Sequence, residues 1–313
     1  MRNVTVRQLQ MFVGAAEAES FARAAEILHV SPAAVSFQIK QIEDMSGFAL
    51  FERIGRKVAL TDAGTTLLTY ARIVLQALQD SDQALMALRG VLGGRVALGA
   101  VSTAKYIVPH VLARFQAKYP GISINLRFGN RQQIADALER GEIELAVMGK
   151  PDDTADVSAT AFAVHPTVII AATDHRLANA HSLAIKDLAA ERMVTREEGS
   201  GTRILMEQTC LAAGFTPRIG MTTDSNETIK QAVMAGMGIA VISRHTIGLE
   251  LALGLMRTLP VDGFPVLRSW FVVRRRSMPM MPGHMQLQAF LLENGQSVID
   301  ELEAGFVRAA RRA

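Results

Sequence analysis

Apolar positions near the start of the chain recur at three- and four-residue steps. Leu9, Phe12, Val13 and Ala16 form one stripe, the signature of an amphipathic helix. Thr5-Val6-Arg7-Gln8 ahead of it has the spacing of a capping box. Phe21, Ala24, Ala25 and Leu28 predict a second helix from about Ser20 to Leu28, and Val35, Ile39 and Ile42 predict a third. Ser31 is placed to cap that third helix, with Pro32 at the first helical position, where its missing N–H costs nothing. "LFERIGRKVALTDAG" then reads as two short strands around a turn at Gly55-Arg56. From Asp62 to about Arg89 a single proline-free helical pattern follows. Leu67, Ala71, Val74, Leu78, Leu85 and Leu88 take alternating three- and four-residue steps, with Ser81 as the polar seam position. That is the pattern of a coiled-coil seam, and it predicts a helix that meets its own copy.

"GVLGGRVALGAV" ends that helix, and strand and helix patterns then alternate through "RVALGAV", "KYIVPHVLARFQAKYP", "SINLRF", "RQQIADALERG" and "IELAVMG". The order predicts a parallel sheet with crossover helices. A second series starts near "TVIIAATD", "LRSWFVVRRR" returns as a late strand, and a final helix is expected from about Gly283 to Glu303. The predicted class is α+β multidomain: an N-terminal winged helix-turn-helix, a long linker helix, and two α/β lobes of a two-lobed binding fold. The expected divisions are 1–62, 63–91, a first lobe of 92–165 with 267–305, a second lobe of 166–266, and a tail of 306–313.

At 49% hydrophobic and 20% charged, the composition is that of globular domains. The single Cys210 excludes a disulfide framework and reads as a small buried apolar residue. No stretch reads as a signal peptide or a membrane span, which predicts a cytoplasmic protein without membrane partners. The seven histidines are scattered without ligand spacing, so no metal is expected. "MAGMGIAVISRH" predicts a helix end, a turn at Gly236 and Gly238, and a strand whose neighbouring Met residues are core. No nucleophile elbow or catalytic carboxylate pair stands out, and the chain is expected not to be an enzyme. The formal charge of +3 announces no particular partner, and seven Lys/Arg balance seven Asp/Glu within the first 62 residues. The case for DNA therefore rests on position.

Two short helices joined by a tight turn and followed by a strand pair put the second helix into a major groove. Ser31, Ala33, Ala34, Ser36, Phe37, Gln38 and Lys40 then lie on its outer side or tip. Ser36 and Gln38 suit bases or phosphates, and Ala33, Ala34 or Phe37 suit thymine methyls. Arg53, Arg56 and Lys57 fall at the wing, where phosphate or minor-groove contact is natural. Later in the chain, Ser102-Thr103 and Gly199-Ser200-Gly201-Thr202 each follow a strand and open a helix. Backbone N–H groups and hydroxyls at such places favour an anion. Lys105, Arg131, Arg196 and Arg203 can add charge there, and Asn130 and Thr195 can orient the ligand. A plain helix cap is the bland alternative for each hydroxyl, and the matched pair of sites favours a ligand.

"VRQLQMFVGAAEAESFARAAEILHVSPAAVSFQIKQIEDMSGFALFERIGRKVALTDAG" resembles the DNA-binding domain of LysR-type transcriptional regulators. The resemblance continues through the linker helix and both lobes. One departure is Pro32-Ala33, where the family often has Gln-Pro, so the family's Gln contact to DNA is not carried over. Within the family, "STAKYIVPHVLARFQAKYPG", "GNRQQIADALERGEIELAVMG", "REEGSGTR" and "DSNETIKQAVMAGMGIAVISRHTI" are similar to regulators of carbon-fixation (Calvin-cycle) operons. The resemblance implies lobes like those of a periplasmic binding protein, with a small anionic effector between them: a phosphorylated metabolite or a nicotinamide nucleotide. It implies no cofactor. The implied partners are double-stranded promoter DNA, a second copy through the linker helix, a tetramer of such dimers, and RNA polymerase. The alternative is a LysR-type regulator of aromatic or amino-acid metabolism with a carboxylate effector.

Overall fold

A computed structural model describes residues 3–54, 57–88, 93–152 and 154–310. The chain forms two units, Met1–Gly90 with Arg140–Glu142, and the remainder. In the first unit, α1 (Val6–Ala18), α2 (Phe21–Ile27) and α3 (Pro32–Ser46) precede β1 (Phe51–Ile54), β2 (Lys57–Leu60) and α4 (Asp62–Leu88). Thr5 and Gln8 make the capping box that starts α1. The chain leaves α2 through His29, whose φ of 55° is left-handed without glycine's help. The stripe on α1 buries Leu9, Met11, Phe12 and Ala15, with Ala16 only half-buried. Phe51, the first residue of the wing, sets its ring edge-on to Phe12 and Phe21. β1 and β2 pair antiparallel, Phe51 opposite Leu60; the Gly55-Arg56 turn lies outside the described residues.

The seam on α4 is divided. Leu67 and Ala71 pack into the core of their own unit with Leu9, Phe12, Ile42 and Leu50. Val74, Leu78 and Leu85 remain exposed, beside Tyr70 and Ile73, and the side chain of Leu88 lies outside the described residues. Ser81 donates its hydroxyl to the Leu78 carbonyl of the same helix at 2.7 Å.

The second unit contains β3 (Gly94–Val101), α5 (Val108–Lys118), β4 (Ile122–Gly129), α6 (Arg131–Glu139), β5 (Leu145–Met148) and β6 (Val157–Ala172). It continues with β7 (Arg192–Arg196), α7 (Gly201–Ala212), β8 (Arg218–Thr223), α8 (Asn226–Met234) and β9 (Ala240–Ser243). The last elements are α9 (Gly248–Ala252), β10 (Met256–Thr258), β11 (Val266–Arg275) and α10 (Pro282–Ala310). The strand–helix alternation predicts a parallel sheet, and only part of the sheet obeys. β4, β3 and β5 run parallel, but β11 is antiparallel to β5 and β6, and β6 is antiparallel to β9 and β10. The order is β10-β6-β11-β5-β3-β4, with β9 also on β6; β7 and β8 pair separately in parallel. The late return strand reverses the sheet by slotting between β5 and β6.

β6 begins at Val157, ten residues before the "TVIIAATD" pattern, and runs unbroken through the expected lobe division at 165/166. Two long strands, β6 and β11, therefore pass through both lobes. One apolar core gathers around Leu98, Phe115, Ile134, Trp270 and Leu287. The other lobe has two smaller ones, around Met193, Met206 and Cys210 and around Val194, Ile229 and Ile242. α10 continues past Glu303 to Ala310, so residues 306–310 of the expected tail are helical, and 311–313 lie outside the described residues. Among the described residues no helix is long and apolar enough to cross a membrane.

Candidate functional sites

α3 shows why its residues divide into two faces. Val35, Ile39 and Ile42 are buried at helical spacing, and they hold the helix on α1 and α2. Ser31 accepts the Ala34 N–H at 3.2 Å and caps the helix, with Pro32 in its first turn. The outward face then carries Ser31, Ala33, Ser36, Phe37 and Lys40, all exposed, with Ala34 and Gln38 half-buried. Phe37 is 59% exposed, an aromatic placed where packing does not use it. Lys40 meets Asp44 at 3.2 Å one turn on, a surface pair worth only a few tenths of a kcal/mol. Arg53 is exposed on β1. Arg56 and the side chain of Lys57 lie outside the described residues. α3 and the wing strand thus present seven of the ten residues expected at DNA as one helix surface, and Arg53 beside it.

In the second unit, a cavity of about 50 Å³ is lined by Val101, Ser102, Thr103, Asn130, Arg131, Gly149, His165, Arg196, Ser200, Gly201, Thr202, Arg268 and Trp270. Seven of the ten expected effector residues meet there: Ser102, Thr103, Asn130, Arg131, Arg196, Ser200 and Thr202. The other three do not line it. Lys105 is exposed, with its ammonium over the Phe128 ring at 5.4 Å. Thr195 is buried in β7. Arg203 is drawn to Glu207, Glu198 and the Arg196 carbonyl, because its i,i+4 carboxylate is nearer than the cleft.

The helix after Ser102 is a short 3-10 turn, Ser102–Tyr106, and no side chain caps it. Ser102 instead donates to the Gly129 carbonyl at 2.9 Å. Ser200 precedes α7 without capping it, and its hydroxyl meets that of Thr202 at 3.0 Å. The capping alternative therefore fails for both serines. Gly199 has φ +78°, and a Cβ there would stand 3.2 Å from that of Gln132. Asn130 reaches across to the Glu198 carbonyl at 3.3 Å. The glycine loop of one lobe is thus pressed onto the start of α6 in the other.

Among the described residues, three guanidinium groups and no carboxylate line the cavity. Arg196 is gripped by Glu197 at 2.7 and 2.9 Å and by Asn226 at 3.0 Å. Arg131 pairs with Asp152 at 2.7 Å and donates to the Lys150 carbonyl at 2.6 Å. Among the described residues Arg268 bonds only neutral acceptors, the Gly201 carbonyl at 3.3 Å and the Thr167 hydroxyl at 3.0 Å. Burial, and then the charge of Arg131, lower its pKa to about 10. Its Nε is buried without a partner among the described residues, as are both ring nitrogens of His165. Burial, helped by the charges of Arg268 and His245, holds His165 well below the usual histidine range.

Arg268, His165 and Trp270 are not foreseen in the sequence, and the ladder explains why they converge. Arg268 stands directly opposite His165 in the β6–β11 register, and side chains two apart share a face. His165 and Thr167 therefore meet Arg268 and Trp270, although a hundred residues of chain intervene. The one available signal is local: Arg268 and Trp270 stand two apart, on one face of a strand pattern.

Beside the cleft, Tyr106 donates to Glu227, and Lys230 lies between Glu227 at 2.8 Å and Glu250 at 2.7 Å, its ammonium 5.0 Å from the centre of the Tyr106 ring. Burial and then the Glu227 bond push the Tyr106 phenol far above its usual range. Burial alone raises the Glu227 carboxyl, but the bonds from Lys230 and Tyr106 outweigh it and hold the carboxyl low.

A helix-turn-helix with a wing, a long helix, and two α/β lobes joined by long strands around an arginine-lined cleft together define a DNA-binding regulator. The comparisons agree in both parts. Residues 6–65 match the bacterial regulatory helix-turn-helix protein, lysR family, and residues 89–296 match the LysR substrate binding domain. The HTH-type transcriptional regulator CfxR of Cupriavidus necator is 40% identical over 313 residues, covering 100% of this chain and 99% of its own. The RuBisCO operon transcriptional regulator of Allochromatium vinosum is 41% identical, covering 93% of this chain and 96% of its own. The solved regulatory domain of CcmR from Synechocystis PCC6803, in complex with 2-PG, is 34% identical with a TM-score of 0.61, over 64% of this chain and 96% of that domain. The chain belongs to the LysR family of transcriptional regulators.

Proposed function

We propose that the protein controls carbon-fixation genes, binding their promoter DNA and sensing a small phosphorylated or otherwise anionic metabolite in the cleft. The observation that carries the effector half is the cavity lining, which among the described residues holds three guanidiniums and hydroxyls from both lobes without a carboxylate. A relative of known structure holding 2-phosphoglycolate supports the same chemistry, and the RuBisCO operon regulator at 41% identity supports the target genes. The ligand contacts are assigned to Ser102, Thr103, Asn130, Arg131, Arg196, Ser200 and Thr202. Ser31, Ala33, Ala34, Ser36, Phe37 and Gln38 face the major groove in this reading. Lys40, Arg53, Arg56 and Lys57 meet phosphates, a contact that makes affinity salt-dependent.

The functional divisions fall near residues 62 and 91, with the lobes exchanging along β6 and β11. The exposed Val74, Leu78 and Leu85 of α4 pair with a second copy, which suits a two-fold promoter site. A ligand shifts regulation only if it binds one arrangement of the lobes more tightly than another, and a tenfold preference supplies about 1.4 kcal/mol of coupling. A footprint on the DNA upstream of the gene, at fixed salt, tests this. Ribulose bisphosphate, NADPH, phosphoenolpyruvate and 2-phosphoglycolate are titrated in parallel. One of them shortening or tightening the footprint is the expected result. A specific footprint that moves only with aromatic or amino-acid carboxylates would transfer the protein to the alternative reading.

A further inference from the structure

The cleft has a floor as well as two lips. The lips are the Ser102–Thr103 and Ser200–Thr202 segments. The floor is the face of β6 and β11 that carries His165 and Thr167 opposite Arg268 and Trp270. His165 is 3% exposed, lines the cavity, and has no partner on either nitrogen among the described residues. Its ring stacks on Trp270 with centroids 3.8 Å apart and planes 13° apart, so packing fixes its orientation. Trp270 is itself fixed, since its indole N–H donates to His245 Nδ1 at 3.1 Å. An unsatisfied, rigidly held polar ring facing a cavity is costly unless something arrives to bond it.

Arg268 is in the same position. Of the three cavity guanidiniums, Arg131 and Arg196 have carboxylates, and Arg268 has none among the described residues. Its buried Nε–H is a donor without a partner among the described residues, on a guanidinium whose chemistry suits a phosphate or carboxylate. His165 stands across the ladder and offers a neutral ring, which has one N–H donor and one acceptor nitrogen.

We propose that the anionic group of the effector is seated on this floor, on Arg268 Nε and the His165 ring, and that these two residues set the preference of the cleft for a phosphate over a carboxylate. The proposal rests on the effector-cleft reading and names the part of the ligand that the floor receives. The lips then bond the remainder of the molecule. A phosphate of about two negative charges suits a site with one unneutralised guanidinium and two more beside it. A lone carboxylate meets that one charge but brings two acceptor oxygens to the floor and lips, where a phosphate brings three.

The chain's one tryptophan supplies the readout, because Trp270 touches His165. The full-length protein is titrated with 2-phosphoglycolate, inorganic phosphate and glycolate, following Trp270 emission and, independently, calorimetric heat. The parent is expected to bind 2-phosphoglycolate at least tenfold more tightly than glycolate. Arg268→Met should abolish that margin by weakening the phosphorylated ligand at least tenfold while leaving glycolate nearly unchanged. His165→Phe keeps the stack on Trp270, removes both nitrogens, and should cost several-fold on the phosphorylated ligand alone. Arg268→Lys, which keeps the cation and loses the fork, serves if the Met variant does not fold and should fall between the two.

An undiminished margin in Arg268→Lys or Arg268→Met, or equal weakening of both ligands in every variant, overturns the proposal and leaves the effector reading standing. A parent that binds none of the three overturns the proposal, and the footprint titrations with ribulose bisphosphate, NADPH and phosphoenolpyruvate then decide the phosphorylated-effector reading separately.

Discussion

Lys230→Met should destabilise the second unit by about 3–4 kcal/mol, the scale measured when one partner of a buried ion pair is removed. Lys230 is 4% exposed, and its ammonium ties Glu227 and Glu250 of two helices while lying over the ring of Tyr106. The two ion pairs do not contribute equally. Glu227 has a side chain 59% exposed, so solvent screening reduces that pair to under about 1 kcal/mol. Glu250, at 14%, is left as an unpaired carboxylate in poor solvent and carries most of the loss. The cation over Tyr106 adds about 0.5–2 kcal/mol. If this division is right, Lys230→Met with Glu250→Leu should recover most of the stability, because no charge is then stranded. Lys230→Met with Glu227→Leu should recover little. Urea unfolding followed by Trp270 emission reports on this unit, since Trp270 is fully buried within it. A single variant within about 1 kcal/mol of the parent, or equal recovery by the two double variants, would refute the reasoning.

Two further outcomes are expected. Gly238 has φ +152°, and a Cβ there would stand 2.2 Å from the Arg192 carbonyl oxygen; because backbone cannot yield as a side-chain tip does, Gly238→Ala should cost more than about 3 kcal/mol, seen as a lowered melting temperature, and a shift under about 2 °C would count against it. Burial, then Arg244, lowers His245 to about 4, against some opposition from Asp300, and the Trp270 N–H bonds its neutral nitrogen. Between pH about 6.5 and about 4 the unfolded chain binds the extra proton, so His245 contributes fully above that window and loses about 3 kcal/mol as the pH falls through it. His165 shifts in the same direction. A urea midpoint that falls equally steeply over that window in His245→Asn would contradict this assignment.

The local features of this protein are written in the sequence. The Thr5 box, the Ser31 cap with Pro32, and the buried Val35, Ile39 and Ile42 of α3 follow from side-chain spacing and short-range hydrogen bonds, which act within a turn or two of helix. So do the turn at Gly236 and Gly238 and the buried Cys210. The two lips of the cleft are legible for the same reason: each is a strand end with a hydroxyl and a backbone start. Three things depend on segments far apart in the chain, and only the tertiary structure decided them. The return strand β11 slots between β5 and β6 and turns an expected parallel sheet into a mixed one. The α4 seam is divided because Leu67 and Ala71 find partners on α1 and α3. Arg268 meets His165 through a strand register set across a hundred residues. Periodicity states which face of a strand a side chain occupies, but not which strand will lie beside it, and the floor of the cleft is made by that pairing.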